Sequence, residues 1–243
     1  MLQSSGTGPF FYLLSIHMQV LYEDNHIIIV FKQSGEIVQA DKSGDIPLSE
    51  TVKAYLKEKY AKPGNVFLGV THRLDRPVAG LVMFAKTSKA LSRLNDMFRN
   101  GQIHKTYWAI TRNVPVLPEA TLTDWLVRNE RINKAFAYDH KVPESKKSIL
   151  KYRIVSHSDY YTMLEIRLLT GRHHQIRCQL SHIGCPIKGD LKYGAERSNP
   201  DGGISLLSHK VEFEHPVSHK QIVVESPLPA DPLWQKMVAN MGK

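Results

Sequence analysis

The sequence predicts one α/β domain of the α+β type, with a large mixed, mostly antiparallel sheet flanked by helices and loops. Three observations carry this. Strand-patterned runs outnumber helical ones and are spread along the whole chain, separated by short turn signals. The chain has 243 residues, 42% hydrophobic and 23% charged, which suits a soluble domain with a sizeable core. No internal repeat, low-complexity tract or clear linker divides it.

The elements follow in order. QVLYEDNHIIIVFK reads as two short strands around Glu23-Asp24-Asn25. LSETVKAYLKEKY is a helix, with Val52, Tyr55, Leu56 and Tyr60 on one stripe and Pro63-Gly64 as its stop. NVFLGV is a buried strand leading into HRLD, and Gly80 to Lys86 form the next strand. Thr87 or Ser88 caps a helix through SKALSRLNDMFRN, which Gly101 ends. HKTYWAITR is a strand. The stretch from about Pro115 to Lys147 is less regular, and its basic part, RNERINKAFAYDHKVPESKK, predicts an exposed arm or loop. ILKYRIVSH and YTMLEIRLL form a hairpin around Ser158-Asp159. TGRHHQIRCQLSHIG begins as a loop and becomes a helix with Ile176, Leu180 and Ile183 on one face. Two strands, SLLSHKVEFEHP and KQIVVESPLP, and a short helix, WQKMVANM, close the chain.

Composition narrows the function classes. No run of about 18 apolar residues exists, so no membrane span is expected. Residues 1–18 read as a disordered tail or an upstream extension before a true start at Met18, and residues 19–240 as the domain. Only Cys178 and Cys185 are present, which argues against a disulfide-stapled secreted chain and for a reducing cytoplasm. Lys and Arg number 32 against 23 Asp and Glu, a net charge of +9 that favours a polyanionic partner.

Three constellations could carry chemistry. In THRLDRPVAGL, Asp75 stands between Arg73 and Arg76. A carboxylate so flanked is expected to stay ionised, which suits a nucleophile or electrostatic stabiliser, although a turn cap or surface ion pair would look the same. In KTYW, strand alternation puts Lys105 and Tyr107 on one face; a tyrosine there can stack on a base and handle a proton, or simply pack. GRHHQIR opens a helix with a basic loop, where free N–H groups, Arg172 and Arg177 form an anion site or a solvated basic helix start. His173, His174, Cys178, His182 and Cys185 crowd one segment. No Cys-x-x-Cys or His-Glu-x-x-His pattern is present, and no metal site is expected.

Taken together and in this order, HRLD (His72 to Asp75), KTY (Lys105 to Tyr107) and TGRHHQIR (Thr170 to Arg177) resemble the motifs of RluA-type pseudouridine synthases. CPIKGDLKYG (Cys185 to Gly194) and LLSHKVEFEHP resemble that family's later motifs, and the likeness spans about residues 19 to 230. The resemblance implies a pseudouridine-synthase catalytic domain that isomerises uridine to pseudouridine in ribosomal or transfer RNA, with no metal or organic cofactor. It implies Asp75 as the catalytic carboxylate, which either attacks the sugar or removes a sugar proton. It implies Tyr107 stacking on the target base and assisting proton removal, and Arg177 pairing with Asp75. His72, Arg73, Leu74, Lys105, Arg172, His174 and Gln175 become the expected substrate-binding residues, with Arg73 placed to fill the space a flipped base vacates. The chain departs from the family pattern at Ala79, His173 and Cys185.

RNA is the expected partner, contacted through the basic arm around residues 128–151. A cytoplasmic monomer with no membrane contact and no obligatory protein partner is the default expectation. The competing reading is a non-catalytic RNA-binding or RNA-chaperone protein on the same fold. A metal-dependent hydrolase or nucleotidyl enzyme would need clustered carboxylates, and only Asp75 stands in a suitable context.

Overall fold

The computed structural model describes residues 18–242. The tail or extension expected over residues 1–18 therefore lies, Met18 excepted, outside the described residues. The strands are β1 (Gln19–Glu23), β2 (Ile27–Lys32), β3 (Gly69–Val70), β4 (Ala79–Ala85), β5 (His104–Thr111), β6 (Glu119–Asn129), β7 (Lys134–Tyr138), β8 (Lys146–His157), β9 (Thr162–Leu168), β10 (Leu206–Glu214) and β11 (Gln221–Glu225). The helices are α1 (Leu48–Lys59), α2 (Ser88–Arg99), α3 (Gln175–His182) and α4 (Pro232–Ala239), with a 3-10 turn at Leu191–Tyr193. All eleven strands join one sheet in the order β1-β2-β4-β10-β5-β9-β8-β6-β7, with β3 beside β4 and β11 beside β10.

Burial on both faces explains the weak alternation of IIIVFK. Ile28 and Val30 of β2 pack with Val52 and Leu56 of α1, while Ile27 and Ile29 pack with Ala90 and Leu94 of α2. A strand covered on both sides reads as a continuous apolar run. The capping expected before α2 is made by Thr87, whose Oγ1 accepts the Ala90 N–H at 3.1 Å. Trp234 and Met237 of α4 pack with Trp108, Ile110 and Met163 in a separate cluster.

One pairing differs from the rest. β4 and β10 run parallel over Ala79↔Leu207 and Gly80↔Ser208, whereas the other described pairings are antiparallel. Gly80 makes the junction possible. Its φ is +124°, and a Cβ there would fall on the Ser208 backbone, 2.5 Å from its nitrogen and 2.8 Å from its Cα. The loop carrying Asp75 enters β4 just before this junction.

Two expectations are corrected. The strand predicted over NVFLGV shrinks to Gly69–Val70, with Phe67 47% exposed before it. The less regular stretch is in part ordered antiparallel sheet, with β7 and the start of β8 pairing on either side of β6, while residues 130–133 and 139–145 of the basic arm are turn and loop and mostly exposed. The inward row of β6 masked this, because it reads Leu122, Asp124, Leu126. Asp124 is buried there and accepts a hydrogen bond from Gln179 Nε2 at 2.6 Å.

Candidate active site

Asp75 lies in the loop between β3 and β4, closed by a turn in which Val78 N–H donates to Asp75 O at 3.0 Å. The end of β2 holds this loop. Lys32 is fully buried and its Nζ donates to the carbonyls of Gln33, Arg76 and Val78 at 3.0, 3.0 and 2.7 Å. Burial pulls its pKa down to about 8. Gly35 N–H also donates to Arg76 O at 2.9 Å.

The two arginines next to Asp75 in sequence do not pair with it. Arg76 turns to Asp45 Oδ2 at 2.6 Å and Ser43 Oγ at 2.7 Å, while Arg73 stands exposed at the cleft mouth. The charge at Asp75 comes from across the chain: Arg177 Nη1 donates to its Oδ2 at 3.0 Å. The remaining edge of that guanidinium is held by Asp190, with Nε to Oδ2 at 2.7 Å and Nη2 to Oδ1 at 2.9 Å. Arg177 and Asp190 are 5% and 1% exposed, so this is a desolvated, charge-assisted pair. Burial opposes the charge on Arg177, but the two carboxylates more than offset it and raise its pKa.

Two connected hollows meet at Asp75. A small one of about 80 Å³ is lined by Tyr107, Leu74, Val78, Leu168 and Leu206 on one part and Arg73, Arg172 and His174 on another, with the start of α3 as one wall. A wider cleft of about 530 Å³ adds His173, Arg128, Asn133, Lys192 and the segment 37–41. Tyr107 and the apolar side chains around it suit a planar base, and the cationic rim suits phosphates.

The structure sorts the other expected site residues. Leu74, Arg73, Arg172 and His174 line the small hollow. Gln175 also lines it, but its amide is spent on the protein. Its Oε1 accepts from Thr170 Oγ1 at 2.8 Å and Arg172 N–H at 2.9 Å, and its Nε2 donates to Ile149 O at 3.1 Å and Gln179 Oε1 at 2.9 Å. His72 points away from the cleft. Its Nε2 accepts the Met83 N–H at 3.1 Å, its ring packs at 5.2 Å on Phe98, and burial lowers its pKa to about 3. Lys105 does not join Tyr107, because its ammonium sits 5.3 Å over the Phe98 ring beside His72. An irregularity in β10 between Ser208 and Lys210 breaks the register opposite this stretch of β5.

Asp75, His173 and His174 bring metal-type donor atoms within 4.8 Å of one another, as do Asp124, Asp139 and His182. Neither group contains a cysteine: Cys178 and Cys185 are buried, and Cys178 Sγ donates to Ala135 O at 3.3 Å. At the first group Arg177 already occupies Asp75 Oδ2, and Arg128 and Lys192 line the same cleft, a field that repels a divalent cation. Lys32, a lysine ending an apolar strand, carries no motif signal in the sequence; Asp190 and Tyr193 lie in the CPIKGDLKYG stretch, but their contacts to Arg177 and His174 were not among the expected site roles.

Residues 26–182 match the family described as RNA pseudouridylate synthase. The chain is 31% identical over 231 residues to ribosomal large subunit pseudouridine synthase C of Buchnera aphidicola subsp. Baizongia pistaciae, covering 91% of this chain and 70% of that protein. It is 27% identical over 243 residues to tRNA pseudouridine synthase C of Vibrio cholerae, covering 93% and 96%. Among solved structures it is similar to human RNA pseudouridylate synthase domain containing 4, with a TM-score of 0.73, 20% identity and coverage of 87% and 89%. At that identity the likeness speaks for the fold.

Proposed function

The chain belongs to the RNA pseudouridylate synthase family and is an RNA pseudouridine synthase; from this premise we propose that it isomerises specific uridines of structured ribosomal or transfer RNA, with Asp75 as the reacting carboxylate. The observation that carries the assignment is Arg177, which is anchored by Asp190 and presents its last edge to Asp75 beside Tyr107. A fixed, desolvated cation behind a carboxylate at the mouth of a hollow is preorganised electrostatics.

The reaction breaks the bond from N1 of the base to C1′ of the ribose and forms one from C5 to C1′. The proton on C5 is lost and N1 gains one, so no outside reactant is consumed. Asp75 acts on the sugar, by attack at C1′ or by taking a proton from C2′; either route uses an anion that Arg177 supports. Tyr107 stacks on the base and helps remove the C5 proton. The base must leave its stack, at a cost of a few kcal/mol. Arg73, which lines the hollow, fills the vacated space in this reading. Leu74 packs against the base, and Arg172 and His174 border it. The rim cations Arg128 and Lys192 take backbone phosphates. No helix among the described residues is long and apolar enough to cross a membrane; in this reading the protein acts as a cytoplasmic monomer.

Release of tritium from RNA labelled at uridine C5 tests the reading. Wild-type protein is expected to release label from its target RNA, and Asp75→Asn to release none while binding that RNA within about threefold. Label released by Asp75→Asn would remove Asp75 from the chemistry.

A further inference from the structure

Two arms reach Asp75 from one short stretch of chain, the 3-10 turn Leu191–Tyr193 and the residue before it. In the first, Asp190 takes the Nε–Nη2 edge of the Arg177 guanidinium and leaves Nη1 for Asp75 Oδ2. In the second, the Tyr193 hydroxyl lies 2.9 Å from His174 Nδ1 and accepts the Ala135 N–H at 2.7 Å. Burial raises the Tyr193 pKa, so the phenol keeps its proton. Among the described residues, the acceptor within reach of that proton is His174 Nδ1. Burial, and then the nearby Arg177, hold the His174 pKa down to about 2, so the ring is neutral and carries one hydrogen. With Nδ1 accepting, that hydrogen sits on Nε2, which faces the same Asp75 Oδ2 from 3.5 Å. This is long for a hydrogen bond, but such contacts commonly tighten when substrate fills a site.

We infer that Asp190 and Tyr193 are positioning residues: they fix the rotation of Arg177 and the tautomer of His174, so that both donors address Oδ2 and Oδ1 is left to meet the ribose. The inference rests on the reading of Asp75 as the reacting carboxylate. Among the described residues nothing donates a hydrogen bond to Oδ1, and the Asp75 side chain is 27% exposed, on the cleft side. A carboxylate held by one oxygen presents the other in a single direction, and displacement of a reacting group by about 1 Å can cost 10²-fold in rate. The residue that bears the tautomer is itself strained. His174 has φ +52°, ψ +25°, a left-handed conformation uncommon outside glycine and asparagine.

That strain gives a test in which a structural role and a positioning role predict opposite rankings. An asparagine at 174 suits the left-handed backbone and keeps an amide where Nδ1 meets Tyr193, but it has no donor at the Nε2 position. A glutamine is less suited to the backbone but places an amide N–H toward Asp75. Single-turnover rates on saturating target RNA would be measured for His174→Asn and His174→Gln from pH 5 to 9, with thermal midpoints. The inference expects His174→Asn to be the more stable and the slower, by roughly 10- to 100-fold against wild type, with its acid limb moved to higher pH. His174→Gln is expected to recover most of the rate. Tyr193→Phe is expected to move the limb in the same direction with RNA affinity within about twofold.

The groups facing Asp75 that also shape this limb are Arg177, His173, Lys32, Arg128 and Lys192, with Arg73 and Arg76 on its own loop, and all stay unchanged in these variants. Ser156→Ala serves as the stability control, since it loses a buried hydrogen bond to Met237 O on the far side of β8; its limb is expected to stay in place. Rates that follow stability, with asparagine faster than glutamine and the limb fixed, would overturn the positioning role. Turnover by Asp75→Asn would instead overturn the reading beneath it.

Discussion

At the scale of residues, chemistry concentrates on Asp75, Tyr107 and Arg177, and the fold spends buried charge to hold them. Tyr107 is 5% exposed on the floor of the hollow. Tyr107→Phe keeps the stacking face and loses the hydroxyl, so single-turnover rates are expected to fall roughly 10²- to 10⁴-fold with unchanged RNA affinity; a normal rate would leave the hydroxyl without a role. The buried histidines predict a pH dependence. In the folded chain His72 and His174 have pKa values lowered to about 3 and about 2, against an ordinary value of 6.5. Below that ordinary value the unfolded chain binds protons that the folded chain refuses. Stability therefore falls as pH drops from about 6.5, by up to about 1.4 kcal/mol per pH unit per histidine. His72→Gln, whose amide oxygen can still accept the Met83 N–H, is expected to flatten the fall in urea midpoint between pH 6.5 and 4.5; an unaltered slope would mean that the His72 ring is not held neutral. Asp75, Tyr107 and Arg177 were legible in the sequence because three motifs stand in order. Lys32 was not, since it acts on carbonyls 44 and 46 positions away, and Asp190, although inside the CPIKGDLKYG stretch, gained its role only through Arg177 13 positions away. The flanking arginines misled for the same reason: proximity in sequence put Arg76 beside Asp75, while geometry turned it to Asp45.

At the scale of elements, the parallel meeting of β4 and β10 sets the site. Ser208 pairs with both Gly80 and Tyr107, so the strand that follows the Asp75 loop and the strand that carries the tyrosine are tied to one residue. Gly80→Ala would drive a Cβ into the Ser208 backbone and strain a positive φ. It is expected to cost more than about 4 kcal/mol in stability, or to prevent folding; a midpoint within about 1 kcal/mol of wild type would show that the junction yields. Helices with an apolar stripe and a clear start or stop signal, α1 before Pro63-Gly64 and α2 after its Thr87 cap, were readable from pattern alone. The β6–β7 hairpin was not, because its inward row carries Asp124, whose carboxylate accepts a hydrogen bond from Gln179 of α3. Alternation reports burial of apolar groups, and a buried carboxylate that finds its partner in another element breaks the pattern without breaking the strand.

At the scale of the whole molecule, a net charge of +9 meets a polyanion. Lys146 and Lys147 begin β8 as exposed residues, and the Lys147 carbonyl accepts from Arg172 Nε at 3.2 Å, so this end of the sheet adjoins the hollow through Arg172. Reversing both charges is expected to weaken RNA binding and to lower the dependence of log affinity on log salt by roughly one per lost phosphate contact; an unchanged slope would route the RNA elsewhere. The sheet supplies the scaffold, the junction of β4 and β10 supplies the place, and the charge supplies the partner. The most direct test of the central claim is a map of pseudouridine across total RNA from cells that lack this protein, complemented with the wild type or with Asp75→Asn. One or a few sites are expected to be lost, to be restored by the wild type and not to be restored by Asp75→Asn. Restoration by Asp75→Asn, or a map that does not change when the protein is absent, would contradict it.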